Sequence, residues 1–174
     1  MSIKIPENEY MRAGKEAHKI IQAHCLGKKK DDRLTDFDWH FTSQEQNFTY
    51  RYNDEFNIHG YVDLVAYDSK VICEIKTSSK PWGQQQFEDS QQWRLYSLVT
   101  GFKKILLVTC KPDLSSLKTY YREVNDNDLE QVKHWIEEGI KIIKRGEFKT
   151  DLVDGHCVNY RCPYSSACFF RQNG

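Results

Sequence analysis

VICEIKTSSK, residues 71–80, decides how this chain is read. Val71, Ile72, Cys73 and Ile75 favour a strand, yet the run carries Glu74 and Lys76. Alternate residues of a strand point to one face, so Glu74 and Lys76 project together and Ile75 projects opposite. Alone, an E-x-K pair is more often a solvated charge pair than a site, because charged side chains are mostly exposed. What lies around it gives it weight.

Upstream, FNIHGYVDLVAY (56–67) reads as a second strand, and QNFTYRY (46–52) as a first. The short connections NDE and DSK suit antiparallel hairpins. With Asp68 and Ser69 as a two-residue loop, Tyr67 pairs with Lys70, and counting back sets Asp63 opposite Glu74. Opposed residues share a face with Cβ atoms about 5 Å apart. Two carboxylates in one place repel unless a positive charge lies between them. A hard divalent cation such as Mg²⁺ accepts such oxygens. A lysine beside it can orient a water or offset phosphate charge, which is the equipment of metal-assisted phosphodiester hydrolysis.

The rest of the chain supplies a frame. Residues 7–26 form a helical pattern through Tyr10, Ala13, Ala17, Ile20, Ile21 and His24, stopping at Gly27. A helix is expected near 86–100, ending at Gly101. KILLVTC (104–110) has the apolar continuity of a strand buried on both faces. LKTYYREV reads as a further strand, and Asp126 or Asn127 caps a helix to about Arg145. The fold class expected is α/β (α+β), with a mixed central sheet flanked by helices.

At 174 residues the chain suits one domain, taken as 1–174. The 25 basic and 25 acidic residues cancel, which excludes a general polycation. Local basic stretches remain at Lys28-Lys29-Lys30 and over 141–149; either is equally a solvated helix end or loop. The N-terminus has no apolar signal region, and no apolar run nears the roughly 20 residues of a membrane span. With six cysteines and no export signal, thiols or metal ligands are expected rather than disulfides. These features suggest a soluble, cytoplasmic protein.

D-x(10)-E-x-K, as Asp63, Glu74 and Lys76, resembles the active-site signature of the PD-(D/E)xK nucleases, whose restriction-endonuclease-like core has a similar element order. The proline of the signature is absent, with Val62 before Asp63. Gly14 and His18 lie four apart on a helix, as do Gln92 and Tyr96. GxxxH before the signature and QxxxY after it resemble the RecB-type subgroup that processes DNA ends. The resemblance implies His18, Asp63, Glu74 and the Ile75 carbonyl as ligands of Mg²⁺ or Mn²⁺. It implies Lys76 as the residue that positions water, and Gln92 and Tyr96 as strand contacts. Thr77 and Ser78 are further phosphate-contact candidates.

The tail CVNYRCPYSSAC holds Cys157, Cys162 and Cys168, and Cys25 closes the first helix. This pattern is similar to the iron–sulfur exonucleases of the RecB type, including the CRISPR-associated ones. It implies a [4Fe–4S] cluster, or zinc as the alternative, in a subregion formed by 1–30 and 147–174. The family spacing is C-x-x-C, whereas four residues separate Cys157 from Cys162, so His156 is a possible substitute ligand. Cys73 and Cys110 read as small core residues. The expected activity is 5′→3′ exonucleolytic cleavage of single-stranded DNA or DNA ends. The alternatives are an endonuclease of the same fold, or a DNA-processing subunit of a CRISPR-adaptation, helicase or recombination complex.

Overall fold

The computed structural model describes residues 8–146. The first helix, α1 (Glu9–Cys25), starts where the Asn8 side chain accepts a hydrogen bond from the Met11 amide at 2.8 Å. It stops at Gly27, whose φ of +66° is left-handed. Asp31 then leads a short 3₁₀ turn, Asp32–Leu34, in the charged loop.

Five strands follow: β1 (Ser43–Arg51), β2 (Asn57–Ala66), β3 (Val71–Thr77), β4 (Lys104–Cys110) and β5 (Lys118–Glu123). They lie side by side in chain order, and every neighbour is antiparallel except β3 and β4. The sheet is therefore mixed, as expected. The β3–β4 connection carries α2 (Gln84–Asp89) and α3 (Gln92–Thr100).

Alternation on β3 and β4 separates two cores. Cys73, Ile75, Leu106 and Val108 pack with Ala17, Ile21 and Cys25 of α1. Ile72, Ile105 and Leu107 pack with Phe87, Trp93 and Tyr96 from α2 and α3. Helices thus cover both faces, and β3 and β4 are buried on both sides. Cys73 and Cys110 are fully buried core residues, as anticipated.

β1 begins at Ser43 rather than at residue 46, and two helix boundaries also differ from the sequence reading. The helix expected near 86–100 is two helices, because Ser90 takes an extended ψ of 133°. Its hydroxyl accepts from the Gln92 amide at 3.2 Å, starting α3 afresh. Arg94 locks the break by donating to the Glu88 and Ser90 carbonyls. The second difference is the cap of α4 (Asp126–Arg145). Neither Asp126 nor Asn127 provides it. Asn125 accepts from the Asp128 amide at 3.0 Å, while Asp128 accepts from the Asn125 amide at 3.1 Å, a reciprocal capping box. Buried Asp128 also takes Arg122 at 3.0 Å.

Asn8–His134 makes one compact unit; from Trp135 onward α4 belongs to another. Among the described residues no helix is long and apolar enough to cross a membrane.

Candidate active site

The ladder between β2 and β3 ends at Leu64↔Cys73. The same offset would next set Asp63 against Glu74. Instead, the Asp63 carboxylate takes over: its Oδ2 accepts from the Ile75 amide at 2.7 Å. Val62 and Leu64, two residues apart, lie in opposite cores, so β2 reverses its alternation at Asp63. Across from Asp63, between the pairs Gln44↔Leu64 and Gln46↔Val62, stands Glu45 with a φ of +49°. A left-handed residue within a strand is a local strain. Here it sits where the sheet opens around Asp63.

Glu74 is 8% exposed and faces the α3 side. Its Oε1 meets Lys76 Nζ at 2.6 Å and accepts from Gln92 Nε2 at 2.8 Å. Lys76 Nζ also donates to Gln92 Oε1 at 2.7 Å and lies 5.4 Å from the Trp82 ring centroid. Gln92 Nε2 further donates to the Tyr96 hydroxyl. Gln92 and Tyr96, four apart on α3, thus hold the Glu74–Lys76 pair. Tyr96 is itself 5% exposed and packs over Gly60, where an added Cβ would lie 3.5 Å from its ring.

His18 approaches from α1, with Nδ1 4.0 Å from Asp63 Oδ1. An added Cβ on Gly14, one turn earlier, would lie 2.9 Å from Thr77 Oγ1. Glycine there lets α1 press against the end of β3. Thr77 faces the same cleft as His18, whereas the Ser78 hydroxyl turns back to accept from the Lys80 amide. The Ile75 side chain is buried in the α1-side core, and its amide serves Asp63.

Burial pushes the Glu74 carboxyl up to about 7; Asp63 adds to this and Lys76 opposes it. Burial also raises Asp63, against the hydrogen bond from Ile75. Burial lowers His18, which favours a neutral imidazole with a free lone pair. Glu74 Oε2 is buried with no hydrogen-bond partner among the described residues. A buried carboxylate with an orphaned oxygen, a part-buried carboxylate and a neutral imidazole are the donor set that suits a hard divalent cation. Among the described residues no three such groups form a closed ligand cluster.

Two contributors went unread in the sequence. Gln22, one turn after His18, is 3% exposed and donates to the Asp63 carbonyl at 3.4 Å. The i, i+4 spacing from His18 was its available signal. Glu45 could have been found only from the β1–β2 register. Cys25 is 1% exposed within the α1-side core, and burial pushes its thiol up to about 12. Cys157, Cys162, Cys168 and His156 lie outside the described residues.

A family description, the PD-(D/E)XK nuclease superfamily, matches residues 4–169. The chain belongs to the PD-(D/E)XK nuclease superfamily. Membership implies DNA as the substrate class. Among solved structures, that of SSO0001 shares 18% identity, with a TM-score of 0.60, covering 90% of this chain and 68% of that one. That likeness shows the fold. An alkaline exonuclease from Laribacter hongkongensis is 15% identical, TM-score 0.45, over 81% of this chain and 75% of that one. A phage-related exonuclease from Haemophilus somnus 129PT is 13% identical, TM-score 0.41, over 75% and 84%. Among curated proteins no match is found.

Proposed function

We propose that this PD-(D/E)XK nuclease is a Mg²⁺- or Mn²⁺-dependent DNA exonuclease acting on single strands or DNA ends. The observation that carries the reading is the split of β2 from β3, where Asp63 and Glu74 meet beside Lys76 and Glu74 keeps an unpaired oxygen. His18, Asp63, Glu74 and the Ile75 carbonyl would hold the cation. When bound, it supplies Lewis acidity toward the phosphate and lowers the pKa of a coordinated water.

The chain's own residues do the rest. Lys76, held by Glu74 and Gln92, orients the attacking water and offsets charge gathering on the phosphate. Water oxygen bonds to phosphorus as the bridging P–O bond breaks; the water gives up one proton to solvent and the leaving alkoxide takes one from solvent, so no net proton is consumed. Gln92 and Tyr96 keep Glu74 and Lys76 in register and guide the scissile strand. Thr77 and Ser78 contact phosphate.

Residues 1–174 act as one nuclease domain, a reading supported by the family match over 4–169. Cys25, Cys157, Cys162 and Cys168 hold a [4Fe–4S] cluster, with zinc as the alternative; this rests on the cysteine pattern alone. The 5′→3′ polarity rests on analogy with the RecB-type subgroup. A CRISPR-adaptation, helicase or recombination complex is the setting that the subgroup suggests, in the cytoplasm of a prokaryote or during viral replication.

Linear and circular single-stranded DNA, compared in Mn²⁺, test the reading. An exonuclease degrades the linear form and leaves the circle closed. Opening of the circle at a similar rate would make the chain an endonuclease.

A further inference from the structure

From Gln84 to Thr100 the chain holds neither Gly nor Pro, yet the helix breaks at Ser90. Without such a breaker, a sharp kink needs a side chain that enters the hydrogen-bond ladder. Two side chains from the first turn of α3 do so. Trp93 Nε1 donates to the Phe87 carbonyl at 2.7 Å, and Arg94 Nη1 donates to the Glu88 carbonyl at 3.0 Å and the Ser90 carbonyl at 2.9 Å. In a continuing helix the Glu88 carbonyl would take the amide four residues on, that of Gln92. Arg94 occupies it instead, and the Gln92 amide goes to the Ser90 hydroxyl at 3.2 Å. Arg94 is itself fixed. It is 8% exposed, its guanidinium carbon lies 4.0 Å from the Trp93 ring centroid, and its Nε is 3.6 Å from Oδ1 of buried Asp128 on α4. Arg122 of β5 stands 4.5 Å from the same ring centroid and 3.0 Å from the same oxygen.

We propose that Arg94 is a positioning residue of the candidate centre: by occupying the Glu88 carbonyl it keeps Gln92 out of a continued helix and so aims the Gln92 side chain at Glu74 and Lys76. Each helical residue turns its successor by about 100°. A helical Ser90 would therefore swing Gln92 away from the pair that it bridges at 2.8 and 2.7 Å. The effect on rate rests on the nuclease reading, whereas the link from Arg94 to Gln92 is structural and can be read apart from it.

Rates are measured on end-labelled single-stranded DNA in Mn²⁺. Arg94→Met keeps the alkyl stem and removes the donors, and it lowers kcat about tenfold, the scale for losing a group that orients a site. In a Gln92→Ala background the same change lowers kcat less than about twofold, because the group that it positions is gone. Gln91→Pro repairs Arg94→Met: Gln91 has a φ of −79° and follows an extended Ser90, the geometry that proline imposes, so the ring holds the break without the guanidinium. If Arg94→Met does not fold, Arg94→Lys keeps the charge against Asp128, loses the two-carbonyl fork and takes its place in the same cycle. A second readout needs no activity. The side-chain amide of Gln92, assigned in a ¹⁵N spectrum by its loss in Gln92→Ala, moves to the free-amide position in Arg94→Met and returns with Gln91→Pro. Equal kcat losses with and without Gln92, or a Gln92 amide that does not move, would overturn the proposal. A wild type that cuts nothing, with a Gln92 amide that moves as described, removes the nuclease reading and leaves the link from Arg94 to Gln92 standing.

Discussion

The Asp63 carboxylate accepts the Ile75 amide at 2.7 Å, at the position where the β2–β3 ladder ends. One side chain thereby closes the backbone hydrogen bonding of a sheet and projects its other oxygen toward His18. The structural and chemical demands on Asp63 can be separated by substitution. Asp63→Asn keeps an acceptor for the Ile75 amide and removes the charge, so it folds with near-wild-type stability and does not cut. Asp63→Ala leaves a part-buried amide unpaired and loses about 1–3 kcal/mol as well. Urea titration and a nuclease assay on both variants check this.

Gln92 bridges Lys76 and Glu74 with one amide, accepting at Oε1 and donating at Nε2. Gln92→Ala frees both side chains and lowers kcat about 10–100-fold, the scale for losing a group that orients a metal ligand. Lys76→Ala is inactive, yet it binds Mn²⁺ by calorimetry. Loss of metal binding in that variant would show that Lys76 has another role.

Glu74 gives a pH dependence. Its folded-state pKa, about 7, exceeds its ordinary value of 4.5, so the unfolded chain ionises first as pH rises. Metal-free protein therefore loses stability between about pH 4.5 and 7, and the penalty is full above that. Glu74→Gln raises the metal-free melting temperature at pH 8 and has little effect at pH 4.5. Calorimetry that finds the same shift at both pH values would contradict the burial argument.

Gly14→Ala would gain helix propensity, worth about 1 kcal/mol in an open helix. Here the new methyl meets Thr77 Oγ1 at 2.9 Å, and a β-branched side chain has little room to rotate away. Overpacking costs about 1–3 kcal/mol, so net destabilisation is expected. Thr77→Ala in the same chain should restore much of it, as a double-mutant cycle in urea would show.

Much of the fold was legible because local signals agreed with tertiary ones. β3 and β4 occupy the residues read for them, since each is an apolar run bounded by turn residues. The Asp63–Glu74 offset followed from the tight turn at Asp68-Ser69. The break at Ser90 was hidden because Phe87 and Trp93 bury on one core from both sides of it. Glu45 escapes the sequence because the strand pattern begins at residue 46, and its relation to Asp63 emerges only from the full β1–β2 pairing. The role of Gln92 and Tyr96 in steadying Glu74 needed coordinates, because spacing shows a shared face but not what that face meets.

The cysteines make an independent claim. Cys25, Cys162 and Cys168, each changed to Ala, should lose iron after anaerobic purification, whereas Cys73→Ala and Cys110→Ala should keep it and lose only packing. Iron retained in Cys157→Ala but lost on changing His156 would make the histidine the fourth ligand. Stoichiometric zinc without iron in the wild type would replace the cluster and leave the nuclease centre untouched.

The most direct measurement is degradation of an end-labelled single strand in Mn²⁺ by wild type and by Asp63→Asn, with melting temperatures recorded in parallel. The proposed function predicts shortening by the wild type, abolished by EDTA, and no cleavage by an equally stable Asp63→Asn. A folded Asp63→Asn that cuts at the wild-type rate would place the chemistry elsewhere in the chain.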